Sequence, residues 1–325
     1  MKNASNPTAV AVIGAGLIGT SWAALFQAGG CKVSLWDPDA RARADATPAV
    51  ERALAQLGRL GLNGAGSLQV CASLAEAVSE AQWIQENAPE KIELKRALYA
   101  DIEKCASATA VLASSTSSLV WSHLAEGMRN SGRLLVAHPF NPPHLIPLVE
   151  LYGVDDDLLD QAVRFYKSLG RVPIRLMKES LGHVANRLSS ALWREAVHIV
   201  AEGIATVEDV DRALVEGPGL RWSVQGPHLS YHLGGGAGGL AHYLAHLGPS
   251  QARRWKDLGD PELTAEVCAV LIAGVMAEAN GRSVQELESE RDEGLIRSLR
   301  SRRANGGEFD ARGNLDCEVH KRSRA

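Results

Sequence analysis

TAVAVIGAGLIG, at residues 8–19, decides the fold of this chain. Its first half, residues 8–13, predicts a short β-strand, and helical character follows the glycine turn over about residues 17–28. A second strand is predicted at residues 31–36. A strand–turn–helix–strand unit of this kind favours a right-handed crossover between parallel strands.

The alternation of strand and helix continues to about residue 176. Further strands are predicted at 83–85, 110–113, 134–137, 148–151 and 172–176. Further helices are predicted at 41–60, 90–105 and 156–169. Repeated β/α alternation predicts an α/β Rossmann-type doubly wound parallel sheet with a less regular far edge.

The pattern changes after about Lys178. Apolar residues recur at helical spacing over 184–202, and further helical stretches follow at 263–278 and 284–300. We therefore predict three parts. They are a nucleotide-binding domain at 1–177, an all-α C-terminal domain at 178–300 and a polar, flexible tail at 301–325.

The composition excludes several classes of function. A net charge of -4 and a pI near 6.2 argue against nucleic acid as a partner, because phosphate binding needs a concentrated basic face. The apolar runs are too short to span a membrane and the N-terminus lacks a secretory signal, so we expect a cytoplasmic protein. No CxxC pair or HExxH pattern occurs, which predicts no metal site.

The glycine turn matches the dinucleotide-binding pattern GxGxxG. Its residues are Gly14, Ala15, Gly16, Leu17, Ile18 and Gly19. The turn follows a predicted strand, opens a helix and is followed eighteen residues later by an acid at a strand end, Asp37. A carboxylate there accepts hydrogen bonds from ribose hydroxyls and repels a 2′-phosphate, which favours NAD over NADP. FAD and a merely solvated Asp37 remain alternatives.

Two further strand ends carry chemistry. The hydroxyl cluster Ser114–Ser118 follows one strand, where it could bind cofactor and substrate or cap a helix. His138 follows the next strand, and an imidazole is the natural proton acceptor near neutral pH. Glu150 could fix its tautomer, although a lone loop histidine is more often structural than catalytic.

These residues resemble the L-3-hydroxyacyl-CoA dehydrogenase superfamily over roughly residues 8–300. The chain is most similar to the branch that acts on free acids, which includes lambda-crystallin/L-gulonate 3-dehydrogenase and L-carnitine dehydrogenase. The matching motifs are Gly14–Gly19, Glu86–Glu90, Ser114–Ser118, His138–Pro142, Pro147–Glu150 and Ala185–Leu188.

The resemblance implies a role for individual residues. His138 would be the general base and Glu150 its orienting partner, while Ser117 and Asn186 would hold the reacting oxygen. The implied cofactor contacts outside the glycine turn are Glu90, Lys95 and Asn141. The family also works as a homodimer through its helical domain, which we expect here.

The substrate is expected to be a small hydroxy acid rather than a CoA thioester. Relatives that act on CoA esters carry a Lys-rich segment, whereas this chain has no Lys between Lys32 and Lys91. Arg221 lies in a segment that resembles the free-acid branch and could bind a carboxylate bidentately, or form a salt bridge instead. The alternatives are a hydroxyacyl-CoA dehydrogenase and a non-catalytic, crystallin-like NAD-binding protein.

Carnitine and gulonate are not separated by the sequence. Phe140, residues 191–196 and residues 231–235 look like L-carnitine dehydrogenase, and aromatic faces suit a quaternary ammonium. The stretch 224–228 lacks two phenylalanines that carnitine enzymes show there and looks more like the lambda-crystallin side.

Overall fold

The computed structural model describes residues 6–304, which form two compact units. The first unit comprises the chain up to Asn186 together with the chain from Ser289 onward, and the second comprises Arg187–Glu288. The predicted boundaries at 177/178 and 300/301 differ from this division. The segment just before Asn186 is bound to the first unit by hydrogen bonds, and the chain after Ser289 packs on its second helix.

Eight strands of the first unit form one sheet. They are β1 (Ala9–Ile13), β2 (Lys32–Trp36), β3 (Ser67–Val70), β4 (Trp83–Glu86), β5 (Val111–Ser114), β6 (Leu134–Pro139), β7 (Leu148–Tyr152) and β8 (Val172–Arg175). The order is β3-β2-β1-β4-β5-β6-β7-β8, so the direction of winding reverses between β1 and β4. A reversal of this kind opens a crevice at the carboxyl ends of the strands, where α/β proteins bind ligands.

Helices cover both faces of this sheet. They are α1 (Leu17–Ala28), α2 (Ala40–Arg59), α3 (Leu74–Val78), α4 (Ile92–Cys105), α5 (Trp121–Ala125) and α6 (Asp156–Ser168). Along β1, Val10 and Val12 join the buried cluster that contains Trp22 and Phe165, whereas Ala11 and Ile13 join the opposite cluster. Because alternate side chains point to opposite faces, this three-layer burial explains the unbroken apolar run of β1. The predicted Rossmann-type class is confirmed.

The far edge of the sheet contains its one antiparallel pairing among the described strands. β6 pairs antiparallel with β7, while every other pairing is parallel. Only the segment 140–147 joins these two strands, and a parallel connection needs a dozen or more residues. The pairing extends β6 to Pro139, so His138 lies within the strand and not after it as predicted. The strand β3 and helix α3 were not predicted.

The segment between β6 and β7 is fixed by a chain of buried side chains. His144 Nδ1 lies 2.5 Å from Ser21 Oγ on α1, and its Nε2 lies 2.5 Å from Gln56 Oε1 on α2. Gln56 in turn donates to Asp292 at 3.0 Å. Burial lowers the pKa of His144 to about 4, so this imidazole is a neutral structural link. The network anchors the connection that carries the cis peptide bond between Asn141 and Pro142.

Every regular element described in the second unit is helical, as predicted for this part of the chain. The α-helices are α7 (Ala185–Ala201, from its third residue), α8 (Val207–Leu214), α9 (Leu220–Trp222), α10 (Pro227–Gly234), α11 (Gly239–Asp257), α12 (Ala265–Ala279) and the start of α13 (Val284–Ala304). A π-helical turn at Val215–Gly219 and a 3-10 turn at Gly236–Gly238 complete it, and a further 3-10 turn lies in the first unit at Ser131–Arg133.

The tail predicted from residue 301 begins inside α13, and residues 305–325 lie outside the described part of the chain. Between residues 6 and 304, no single helix is long and apolar enough to cross a membrane. One bent pair, Ala265–Ala279 with Val284–Arg302, passes by length and composition alone.

Candidate active site

The glycine turn between β1 and α1 has the geometry of a ligand cradle. Gly14 has φ of +96°, and a Cβ there would lie 2.8 Å from the carbonyl oxygen of Asn87. A Cβ on Gly19 would lie 1.8 Å from the oxygen of Gly14, so both positions exclude side chains. A Cβ on Gly16 would meet nothing within 4 Å. The middle glycine therefore borders open space at the N-terminus of α1, where free N–H groups can receive a pyrophosphate.

Asp37 faces this turn from the end of β2. Its Oδ2 accepts the N–H of Ala15 at 2.8 Å, and its Oδ1 accepts the N–H of Asp39 at 2.8 Å. Arg43, which follows in α2, donates to the main-chain oxygen of Asp37 at 2.6 Å. The carboxylate is thus fixed beside the turn with lone pairs left for ribose hydroxyls, so these residues fit NAD.

Glu90 organises the loop that follows β5. Its Oε1 lies 2.6 Å from Thr116 Oγ1 and 2.7 Å from the N–H groups of Ser117 and Ser118. Both serine hydroxyls lie 3.1–3.2 Å from the same oxygen. Burial alone would raise the pKa of Glu90, but these hydrogen bonds and the ammonium of Lys95 lower it to about 2. The carboxylate is therefore ionised and holds the hydroxyl loop in one conformation.

Below this loop lies a buried set of polar side chains, the Glu86 cluster, formed by Glu86, Lys95, Tyr99 and Ser114. Glu86 accepts from Lys95 Nζ at 2.6 Å, from Tyr99 at 2.6 Å and from Ser114 at 2.7 Å. Lys95 was predicted to contact the cofactor, but its side chain is only 1% exposed and lies 3.7 Å from Glu90. Its ammonium is therefore directed at carboxylates of the protein, and Glu90 lies between it and the hydroxyl loop.

His138 and Glu150 face each other across the antiparallel strands. The register of β6 and β7 pairs these two residues directly, and His138 Nδ1 lies 2.8 Å from Glu150 Oε2. Such opposed residues have adjacent side chains, so the short β6–β7 connection is what brings the pair together. His138 is 5% exposed and Glu150 is fully buried.

The second oxygen of Glu150 is bound by the start of α7. Oε1 accepts the N–H of Val184 at 2.8 Å and that of Ala185 at 3.0 Å. Burial would raise the pKa of Glu150, yet its hydrogen bonds to His138 and to these two N–H groups bring it below its ordinary value. An ionised carboxylate can only accept, so Nδ1 of His138 carries a proton and Nε2 presents a lone pair.

The predicted site residues Ser117, Asn141 and Asn186 lie close to the pair of His138 and Glu150, either along the chain or in space. Asn186, in the first turn of α7, donates from Nδ2 to the main-chain oxygen of Ser117 at 3.3 Å. Ser117 is exposed, and Asn141 is exposed beside its cis proline. Thr116 Oγ1 accepts the N–H of Leu119, so it caps a local turn, while α5 begins without a side-chain cap.

Arg221 belongs to the second unit, where it lies on the short helix α9. Its side chain is exposed, and no hydrogen bond or ion pair of its guanidinium occurs with the residues the structure describes. The guanidinium is therefore available to an anionic ligand. Within residues 6–304, no group of three or more His, Cys, Asp or Glu side chains is placed to hold a metal ion.

Sequence reasoning missed His183, which is 3% exposed and lies beside His138 with ring centroids 5.0 Å apart. Glu86 and Thr116 lie in motifs that the sequence singled out, but it gave neither an individual role, and their side chains support the loop from below. The signal for His183 was its place between Gly182 and the Ala185–Leu188 motif, since a histidine in such a turn is adjacent to a site residue.

The doubly wound sheet, with a glycine turn where its winding reverses, defines a dinucleotide-binding protein, and the matches to known proteins identify its class as an NAD-dependent oxidoreductase. The model of the 3-hydroxyacyl-CoA dehydrogenase NAD-binding domain matches residues 9–180, and that of the 3-hydroxyacyl-CoA dehydrogenase C-terminal domain matches residues 182–261. The chain belongs to the 3-hydroxyacyl-CoA dehydrogenase family.

Relatives resemble the chain over nearly its whole length. The L-carnitine dehydrogenase of Streptomyces coelicolor is 44% identical over 96% of this chain and 100% of its own. That of Oceanobacillus iheyensis is 43% identical over 89% and 96%. Among solved structures, 5-formyl-3-hydroxy-2-methylpyridine 4-carboxylic acid (FHMPC) 5-dehydrogenase is described as an NAD+-dependent dismutase. It has 27% identity and a TM-score of 0.77, and the match covers 90% of this chain and 97% of that chain. The (S)-3-hydroxybutyryl-CoA dehydrogenase of Ralstonia eutropha has 25% identity and a TM-score of 0.57, covering 64% and 77%.

Proposed function

We propose that this chain oxidises L-carnitine, a free L-3-hydroxy acid with a quaternary ammonium group, to the 3-keto acid with NAD as acceptor. The observation that carries the chemistry is the buried pair of His138 and Glu150. The choice of carnitine is supported by the function of the relatives that match the whole chain. The sequence pattern alone left L-carnitine and L-gulonate open, and these relatives favour L-carnitine.

The proposed base is Nε2 of His138. Glu150 keeps the proton on Nδ1, so the Nε2 lone pair accepts the hydroxyl proton of the substrate. The imidazolium that forms is stabilised by a carboxylate at 2.8 Å, and both side chains are buried. General base catalysis of this type contributes about 10²- to 10⁴-fold to the rate.

Ser117 and Asn186 are proposed to orient the reacting oxygen. Ser117 is exposed at the edge of the loop, and Asn186 is connected to it by its amide. Since Asn186 starts the helix whose first N–H groups hold Glu150, base and oxygen-binding groups are fixed by one element. When bound, the nicotinamide supplies the acceptor for the hydride that leaves the carbinol carbon.

The cofactor is proposed to bind along the carboxyl ends of β1, β2 and β4. The residues of the turn Gly14–Gly19 would receive the pyrophosphate and Asp37 the adenosine ribose. Glu90 and Asn141 would contact the nicotinamide half. Lys95 would act there through its ion pair with Glu90, because its own ammonium is buried.

The two charged ends of carnitine call for different partners. We propose that Arg221, exposed and without an ion pair among the described side chains, binds the carboxylate bidentately. Phe140, with its ring centroid 6.0 Å from that of His138, offers an aromatic face to the ammonium.

A substrate panel tests this function. Initial rates of NADH formation at alkaline pH are measured with L-carnitine, D-carnitine, L-gulonate, simple L-3-hydroxy acids and L-3-hydroxybutyryl-CoA. We expect the highest kcat/KM for L-carnitine. A higher value for the CoA ester would contradict the free-acid assignment, and a higher value for L-gulonate would contradict the choice of carnitine.

Arg221 variants locate the carboxylate contact within the same panel. Arg221→Met should raise the KM for L-carnitine about 100-fold with a much smaller change in kcat, because a bidentate charged contact is lost. Arg221→Lys keeps the positive charge but not the forked pair of donors, so its KM should lie between those of the wild type and Arg221→Met. Unchanged kinetics in Arg221→Met would remove Arg221 from the site.

We further propose that the second unit pairs with a second copy of the chain. It contains an apolar groove of about 440 Å³ between α7, α8 and α12, lined by residues such as Trp193 and Val210. Ile272, Val275 and Met276 at its border are 51–64% exposed, which is unusual for a helix surface facing solvent. Light scattering should show a dimer, and Ile272→Glu should dissociate it. A monomeric wild-type protein would contradict this.

A further inference from the structure

His183 is a buried histidine in an unfavourable backbone conformation. It is 3% exposed and has φ of +51°, one of two positive values at non-glycine residues in the described chain. The other, Asn280, ends a helix, where asparagine tolerates the left-handed region. For a bulkier residue this region costs about 1 kcal/mol or more, so surrounding contacts must hold His183 there.

Three contacts connect His183 to three parts of the site. Its Nε2 lies 3.1 Å from the main-chain oxygen of Thr116, in the hydroxyl loop just before Ser117. Its ring lies 5.0 Å from that of His138 at an interplanar angle of 42°. The next two residues along the chain donate their N–H groups to Glu150.

The protonation state of His183 follows from its surroundings. A carbonyl oxygen only accepts, so Nε2 carries the hydrogen in the bond to Thr116. Burial, with repulsion from His138, holds the pKa of His183 below its ordinary value, although the Thr116 carbonyl and the carboxylates of Glu150 and Glu90 act the other way. A neutral imidazole with hydrogen on Nε2 therefore faces the ring of His138.

We propose that His183 is a positioning residue of the reaction site, which fixes the Thr116 carbonyl, and through it Ser117, against the ring of His138. The inference rests on the proposed function, since it concerns the same oxygen-binding loop and base. No proton moves to or from His183 in the reaction. It keeps Ser117 and His138, the two groups proposed to touch the substrate, in a fixed position relative to each other.

A matched set of substitutions isolates the hydrogen bond. In His183→Gln the amide nitrogen can occupy the place of Nε2 and donate to Thr116. In His183→Asn the amide reaches only the place of Nδ1, which is too short for this contact. His183→Phe keeps an aromatic ring beside His138 and removes the donor. The exposed His123, changed to Gln, controls for loss of a histidine elsewhere.

Activity and stability are expected to separate in this set. His183→Gln should retain kcat for L-carnitine within about threefold, whereas His183→Asn and His183→Phe should lose about tenfold or more, because a buried carbonyl loses its donor. The KM for NAD should change less than about twofold in all of them. Of the two variants that lose the donor, His183→Asn suits the left-handed backbone better than His183→Phe, so it should have the higher Tm of these two although both lose kcat.

The outcomes decide between positioning and mere packing. If kcat follows Tm across the set, or if His183→Asn keeps wild-type kcat, the proposal is overturned. A nitrogen-detected histidine NMR spectrum of the wild-type protein without ligands should show hydrogen on Nε2 of His183, as its bond to the Thr116 carbonyl requires. A ring with hydrogen on Nδ1 and none on Nε2 would also overturn it.

The same experiments distinguish failure of the proposed function. If the wild-type protein turns over another hydroxy acid and not carnitine, the kinetic series is run on that acid and the ranking should be unchanged. The NMR result needs no substrate at all. If the wild-type protein does not oxidise carnitine but the His183 variants keep the expected order of kcat on another acid, only the substrate assignment is contradicted.

Discussion

Two carboxylates, Glu86 and Glu150, are fully buried in the same sheet and yet have different surroundings. The Glu86 cluster neutralises its carboxylate with a lysine ammonium at 2.6 Å and two hydroxyl groups. Glu150 has the imidazole of His138 at 2.8 Å and two main-chain N–H groups, here called the Glu150 cluster. One carboxylate has a permanent cation as partner and the other has an imidazole, which has one nitrogen free to accept a proton.

This difference separates a structural cluster from a chemical one. The ion pair in the Glu86 cluster is closed, because the ammonium of Lys95 is 1% exposed and its donors are directed at protein oxygens. In the Glu150 cluster the carboxylate fixes only Nδ1 of the imidazole and leaves Nε2 to accept a proton. We therefore expect substitutions in the first to change stability more than turnover, and substitutions in the second to do the reverse.

The largest effect is expected for His138→Gln. The variant keeps a polar side chain of similar reach but has no base, so kcat should fall about 10³-fold, which corresponds to about 4 kcal/mol in the barrier. NADH binding, followed by fluorescence, should remain within about threefold of wild type, since the glycine turn is unchanged. Residual kcat above a tenth of wild type would show that another group takes the proton.

The next largest effect is expected for Glu86→Gln, and it should appear in stability. Removing this charge leaves the Lys95 ammonium buried without its main partner, which costs about 3–4 kcal/mol of unfolding free energy. Urea unfolding monitored by circular dichroism measures the loss. The double variant Glu86→Gln/Lys95→Met removes both charges and should recover at least half of it. A double variant no more stable than the single one would contradict the ion-pair explanation.

A smaller effect, on turnover, is expected for Glu150→Gln. The N–H groups of Val184 and Ala185 need an acceptor, so the amide oxygen would face them and the amide NH₂ would face Nδ1 of His138. The imidazole would then carry its proton on Nε2 and could not accept another. We expect a roughly 10²-fold fall in kcat, about 2.7 kcal/mol, with a loss of unfolding free energy smaller than that of Glu86→Gln. The opposite ranking of the two stabilities would undo the distinction between the clusters.

Much of this comparison could be predicted from the sequence, but the Glu150 cluster could be predicted better than the Glu86 cluster. The apolar run of β1, its glycine turn and Asp37 are local patterns, so the sheet class and cofactor follow from them. The motif spacing also singled out His138 and Glu150. That they face each other follows from the antiparallel register of β6 and β7, which depends on the short connection between these strands.

The Glu86 cluster could not be predicted, because its members come from β4, α4 and β5 and share no local pattern. A buried glutamate at the end of an apolar strand looks like any strand-end acid until its partners are placed. Lys95 shows the same limit. The family resemblance implied that it contacts the cofactor, and only the packing of α4 shows that its ammonium is enclosed. The role of Arg221 remains a prediction from the sequence.

Glu90 connects the two kinds of region and gives the smallest predicted effect. Its Oε2 lies 3.7 Å from Lys95, and its Oε1 holds the loop with Ser117. Because the pKa of Glu90 is lowered to about 2, its contribution to stability is complete above the pKa of the unfolded chain, near 4.3, and is lost as pH falls through about 2.

Glu90→Gln should therefore lower the unfolding free energy by about 1 kcal/mol at pH 7, after allowance for solvent screening at a side chain that is 32% exposed. The difference from wild type should shrink steadily below about pH 4, because Glu90 of the unfolded wild-type chain takes up a proton there while folded Glu90 stays ionised down to about pH 2. Urea unfolding at pH 7, 5, 4 and 3 measures it, with the exposed Glu80→Gln as the control whose pH curve should match wild type. A constant difference at all four pH values would mean that Glu90 stabilises the loop by shape alone. In that case the charge of Glu90 would contribute nothing to stability, and Glu90 would resemble neither the Glu86 cluster nor the Glu150 cluster.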